Sequence, residues 1–113
     1  MNADEEYVRA RWKRVIVCDG SYRHYAKGTI LLNWSNHQFY EFKDFSAARA
    51  FTENREREIA EVQEEIAILN EGVELAASTD ADERKYGIPF KRILARLQAV
   101  LAELRRGMKE GSE

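Results

Sequence analysis

Residues 44–78, DFSAARAFTENREREIAEVQEEIAILNEGVELAAS, decide the fold. A seam runs through Phe45, Ala48, Thr52, Arg55, Ile59, Val62, Ile66, Leu69, Val73 and Ala76. Its steps alternate three and four, which is the spacing of a heptad helix. Asp44 or Ser46 can cap the first turn, and the helix is expected to reach about Ser78. Gly72, after Asn70-Glu71, offers a kink or an early stop. Val73 and Ala76 keep the phase, so a continuous helix is expected. A second seam follows Pro89, a residue suited to a first helical turn: Phe90, Ile93, Leu97, Val100 or Leu101, Leu104 and Met108. Ser78 to Ile88 is the connection, with room for one helical turn after Thr79. A link this short makes the two helices an antiparallel hairpin.

Upstream, Tyr7 to Cys18 reads as a strand, with Val8, Ala10, Trp12, Arg14, Ile16 and Cys18 on one face. Asp19-Gly20 suits a hairpin turn whose central residues need positive φ. Ser21 to Ala26 would return, and Lys27-Gly28 would turn again. Thr29 to Trp34 is a third strand, with Ile30, Leu32 and Trp34 on one face. Ser35-Asn36-His37 turns into a fourth, Gln38 to Lys43. The expected class is α+β, with an N-terminal antiparallel meander of about four strands followed by the C-terminal two-helix hairpin. Residues 1–113 are read as one domain: a loose tail at 1–6, the β unit at 7–43, the hairpin at 44–108, and a loose tail at 109–113.

The bulk properties narrow the class. No run approaches the ~20 apolar residues of a membrane span, and the acidic start does not resemble a signal peptide. Cys18 is the single cysteine, so an intrachain disulfide is excluded and the cytoplasm is the expected compartment. The net charge of −2 conceals strong segmentation. Residues 7–43 carry seven bases against Asp19 and Glu41, a balance of +5. Residues 44–79 carry three bases against nine acids, a balance of −6. Residues 89–109 carry six bases against Glu103, again +5. The two helices can therefore complement each other, and the overall balance argues against a duplex-DNA binder. A hairpin covers only part of one sheet face. Both seams are long, and homo-oligomerisation is expected.

No enzyme signature is present. There is no phosphate-binding glycine loop, no His-Glu-x-x-His and no Cys-x-x-Cys. Two histidines and one cysteine do not make a metal site, and no cofactor is implied. Asp19, Ser21 and His24 cluster near the first turn, where turn and strand roles account for them better than a nucleophile arrangement does. Three places carry other chemistry. Arg14 shares its predicted face with Trp12 and wants a carboxylate, a ring or an anion. Arg9, Arg11, Lys13 and Tyr7, with Tyr22, Arg23, His24 and Tyr25 across the turn, interleave cations and rings as a single-stranded nucleic-acid surface does. Arg84 to Arg92 surrounds the start of the second helix, where Tyr86, Phe90 and Arg92 can meet an anionic ligand. Arg55, inside the seam, can set register or snorkel at its edge. Arg105 and Arg106 complement a helix C-terminus.

Trp12, Arg14, Arg23, Phe90 and Arg92, on a small sheet followed by two long helices, make the chain resemble the Thoeris anti-defence sponges of phages. The resemblance is one of element order and covers most of the chain. It implies an oligomeric, non-enzymatic protein of the host bacterial cytoplasm that sequesters an anionic cyclic nucleotide messenger. The site expected on this reading is Trp12, Arg14, Arg23, Tyr25, Tyr86, Phe90 and Arg92. Arginine supplies the phosphate contacts, and the rings supply stacking. The alternative is a protein–protein interaction module or phage-type inhibitor, anti-CRISPR-like, presenting Glu53, Glu56, Glu58, Glu61, Glu64 and Glu65 to a basic partner. A third reading uses the basic sheet face for RNA or single-stranded DNA. Pairing discriminates among them. Glutamates tied to Lys91, Arg92 and Arg96 would weaken the inhibitor reading, and an Arg14 tied to a helix acid would weaken the sponge.

Overall fold

A computed structural model describes residues 2–77 and 88–109, with side chains for 2–72 and 91–109. The architecture is α+β, in the order α1 (Ala3–Arg11), β1 (Val15–Val17), β2 (Ile30–Ser35), β3 (Gln38–Phe42), α2 (Phe45–Ala77) and α3 (Ile88–Leu104). The sheet is antiparallel, three-stranded and ordered β1-β2-β3. The four-stranded meander is thus corrected at both of its first two strands. The expected connection at 78–87, with its helical turn, lies outside the described residues. No helix among the described residues is long and apolar enough to cross a membrane.

The first correction is α1, where a loose tail and a strand were expected. The side-chain oxygen of Asn2 accepts the Glu5 N–H at 2.7 Å and caps the helix. Asp4, Glu5 and Glu6 occupy its first turn, and Arg9 and Arg11 its last, so the charges complement the helix dipole. Val8 and Trp12 fit alternation, but they are also four apart, and the helix buries Val8 completely. The capped and charged ends decide between the two periods.

The second correction is the return strand. The ladder pairs Val15 with Leu32, Ile16 with Leu31 and Val17 with Ile30, so residues 18–29 form a loop. Its neck is closed by Cys18 N–H to Thr29 O (2.9 Å) and Gly28 N–H to Cys18 O (2.7 Å). At Asp19-Gly20 the carboxylate accepts the Ser21 N–H and hydroxyl. This local turn satisfies the backbone without a hairpin. The expected Asn36-His37 turn does join β2 to β3, with His37 at φ +61°.

The chain divides into two compact units, 1–56 with 105–113, and 57–104. The buried side chains of the first include Val8, Trp12, Cys18, Ile30, Leu32, Ala48, Thr52 and Met108. Trp12 lies at its centre. Its ring stacks on Phe51 (6.2 Å, 28°) and meets Tyr40 edge-on (6.0 Å, 72°). The indole N–H donates to Thr52 Oγ1 at 2.9 Å, and the Thr52 hydroxyl donates to Ala48 O at 2.7 Å. That chain explains a threonine at a seam position, because a buried indole requires an acceptor. Of the two possible caps, Asp44 serves α2: its carboxylate accepts the Ala47 N–H at 2.8 Å.

Residues after α3 complete this unit. Met108 bridges to Trp12, Lys13 N–H donates to Gly107 O (2.9 Å), and Lys109 N–H donates to Arg11 O (2.8 Å). The expected loose C-terminal tail is therefore tied at Lys109, while 110–113 lie outside the described residues. Gly107, at φ +78°, passes so close to β2 that a Cβ would stand 2.5 Å from Asn33 O and 2.7 Å from Trp34 Cα.

The second unit holds the rest of α2 and α3. Helix α2 runs through Gly72 unbroken. The expected seam residues Ile59, Val62, Ile66 and Leu69 are half-buried, as are Leu94, Leu97, Leu101 and Leu104 on α3. Leu101, and not Val100, takes the open place in the second seam. Ile93 is exposed, and Leu94 takes its position. Among the described residues of this unit no side chain is buried.

Candidate functional site

The α1–α2 face shows where the N-terminal bases go. Arg11 Nε donates to Glu56 Oε1 at 2.8 Å, and Arg9 Nε to Glu5 Oε2 at 2.8 Å. Arg49 reaches Glu53 at 3.0 Å and Asp4 at 3.3 Å. Tyr7 lies among them. The Arg11 and Arg49 guanidinium carbons sit 3.5 and 4.6 Å from its ring centroid, and its hydroxyl donates to the Glu56 carboxylate. Burial, then the hydrogen bond to Glu56, pushes the Tyr7 pKa up to about 12. Half-exposed pairs of this kind each contribute on the order of 1 kcal/mol, but together they occupy the bases. The expected open strand face of Arg9, Arg11 and Tyr7 is thus corrected to a helix whose cations are already bonded to acids.

A different cation–aromatic array stands on the sheet. Trp34 of β2 and Tyr40 of β3 stack with centroids 5.7 Å apart and planes at 23°. The Arg106 guanidinium lies 5.7 Å from the Trp34 ring. Arg55 lies 5.4 Å from Tyr40 and 4.9 Å from Phe51, with Nη2 3.4 Å from the Tyr40 hydroxyl. The irregular register between Asn33 and Ser35 sets the end of β2 that carries Trp34. Asn33 pins it by donating its side-chain amide to Ser35 O and Gln38 O. Gly107, pressed on Asn33 and Trp34, holds the turn that carries Arg106. A guanidinium beside an aromatic face places a planar cation next to a flat ring, and such a pairing suits ligands that combine a base with phosphate or carboxylate. Arg55, Tyr40 and Trp34 are half-buried and Arg106 is exposed.

A separate cleft of about 330 Å³ is lined by Asn2, Asp4, Asp44 and Ser46 over Val17, Ile30 and Phe45. Its two carboxylates make it unfavourable for an anion.

Four of the seven expected site residues, Trp12, Arg14, Arg23 and Tyr25, belong to the unit that holds the sheet. Trp12 is 1% exposed and bonded to Thr52, so its ring is a core element with no face open to a ligand. Arg14 is exposed and joins no ion pair among the described residues, and its carbonyl accepts the Asn33 N–H at 3.2 Å. Arg23 is exposed and Tyr25 half-buried, both on the 18–29 loop. Phe90 and Arg92 belong to α3 in the other unit. Arg92 is exposed, the Phe90 side chain lies outside the described residues, and so does Tyr86. The Asp19–Ser21–His24 trio is an aspartate accepting from Ser21, which lowers its pKa, beside an exposed histidine. Among the described residues no three His, Cys, Asp or Glu come together as metal ligands.

Sequence reasoning missed Trp34, Tyr40 and Arg106 as a set. The available signal was Arg55, a cation in an apolar seam, together with the alternating face that ends at Trp34. Comparison with protein-family models, with curated proteins and with solved structures gives no match.

Proposed function

We propose that the protein is a non-enzymatic binding protein that sequesters an anionic cyclic nucleotide messenger and so blocks a bacterial anti-phage defence. The observation that supports this reading is the Trp34–Tyr40 stack flanked by Arg106 and Arg55. Aromatic faces suit flat bases and guanidinium edges suit a pyrophosphate, each without a general base. Thermal-shift titration against cyclic dinucleotides and cyclic ADP-ribose isomers tests it. Ligand at 100 times its Kd adds ~2.7 kcal/mol, which for this chain is a rise of about 10 °C. Arg106→Ala, at an exposed position, should lose most of that rise without losing the fold. No shift with any of these ligands overturns the reading.

One observation favours the interaction-module reading. Glu61, Glu64 and Glu65 are exposed and, among the described residues, in no ion pair. Their expected neutralisation by Lys91, Arg92 and Arg96 is not seen, since those bases are also exposed and unpaired among the described residues. An inhibitor of this kind binds its basic partner with a steep salt dependence that Glu61→Lys/Glu64→Lys abolishes.

A further inference from the structure

We infer that the unit 57–104 is an interface for a second copy of this chain, two hairpins meeting face to face as a four-helix bundle. The reason is the contrast between the two units. The first encloses Trp12, Leu32 and Val8 almost completely. In the second, eight seam residues from Ile59 to Leu104 stay half-wet, and Ile93 (45%) and Val100 (41%) are exposed. Ile93 and Val100 are seven apart, so they form one stripe along α3 beside Leu97 and Leu104. Apolar surface of this extent, continuous with a seam, is the mark of an interface.

Charge selects the occupant. Exposed Glu61, Glu64 and Glu65 stand on α2, and exposed Lys91, Arg92 and Arg96 on α3, without ion pairs among the described residues. A two-fold axis sets α2 of one copy against α3 of its partner, so the same surface satisfies both signs twice. Area agrees. The 17 residues of α3 make a helix about 25 Å long, and a pair of helices of at least that length at the usual spacing of ~10 Å would present on the order of 500 Å² per chain, hence roughly 1,000 Å² buried in all, the threshold of a stable interface. The inference uses residues separate from the Trp34–Tyr40 array, so it stands or falls independently of the proposed function.

Light scattering on the full chain tests it. The expected mass is twice 13.2 kDa, and Ile93→Glu/Val100→Glu should give a monomer with unchanged helical circular dichroism. A wild-type monomer at micromolar concentration overturns the inference, as does a variant that keeps the dimer mass. Should the double variant lose helicity, charge reversal decides the matter. Glu61→Lys/Glu65→Lys should raise the dimer dissociation constant at least tenfold, and added Lys91→Glu/Arg92→Glu should restore it. Failure of either step overturns the pairing.

Discussion

Replacing Gly107 by alanine isolates the contact on which the sheet unit closes. Two costs add there. At φ +78° an alanine pays ~1–2 kcal/mol for left-handed backbone. Its methyl would also lie 2.5 Å from Asn33 O and 2.7 Å from Trp34 Cα. Both are backbone atoms of a paired strand and cannot swing aside, so relief requires moving the strand or the turn, for another ~1–3 kcal/mol. Gly28 supplies the control. It has φ +92° and nothing within 4 Å of its would-be Cβ, so Gly28→Ala carries the backbone cost alone. One kcal/mol lowers the Tm of a chain this size by ~4 °C. Gly28→Ala should therefore fall by about 4–8 °C and Gly107→Ala by about 8–20 °C, in the same buffer by thermal or urea unfolding. Equal losses in the two variants would refute the close approach and leave only a strained turn. Arg106 is carried on this turn, so Gly107→Ala should also weaken ligand binding at temperatures where the protein remains folded, whereas Gly28→Ala should not.

Two other predictions concern ionisation. Tyr7 keeps its proton longer in the folded chain than in the unfolded one. The unfolded state therefore releases it first as pH rises, and stability is lost between about pH 10 and 12, by ~1–2 kcal/mol for a partly exposed phenol. Tyr7→Phe should remove that alkaline loss, and a variant with an unchanged pH–stability curve would count against the Glu56 bond. Burial, then Asp19 and Glu41, raises the Cys18 thiol above its ordinary value. Disulfide-reagent kinetics at pH 8 should be slow in the native protein and fast in denaturant, and equal rates would place the thiol at the surface.

Legibility from sequence divides by the range of the cause. Helix α2 is readable to within a residue or two, because its seam repeats over many turns and Asp44 caps it locally. The β2–β3 hairpin is readable because alternation and a tight turn agree. Residues 3–11 mislead because Val8 and Trp12 fit either period, and because the Asn2 cap and the run Asp4-Glu5-Glu6 resemble a polar tail. The return strand fails because Ser21 satisfies Asp19 locally. The cation–aromatic array is invisible for a different reason. Trp34 and Arg106 are far apart in sequence, and the Gly107 contact that fixes Arg106 beside the ring has no local signature. Arg55 can be singled out, whereas the rings it covers cannot.

The return of residues 105–109 to Trp12 and Lys13 has a consequence for the order in which the chain folds. The sheet unit is interrupted by the whole stretch 57–104, and Met108 cannot bridge to Trp12 until that stretch has come back on itself. Closing a flexible loop of that length costs about 3 kcal/mol beyond a constant. Helices form within microseconds and shorten the effective loop, so α2 and α3 should be structured in the folding transition state. Trp12, the most enclosed ring among the described residues, should then be among the last to find its place. On a ribosome the N-terminal half would wait, partly open, for Gly107 and Met108 to emerge.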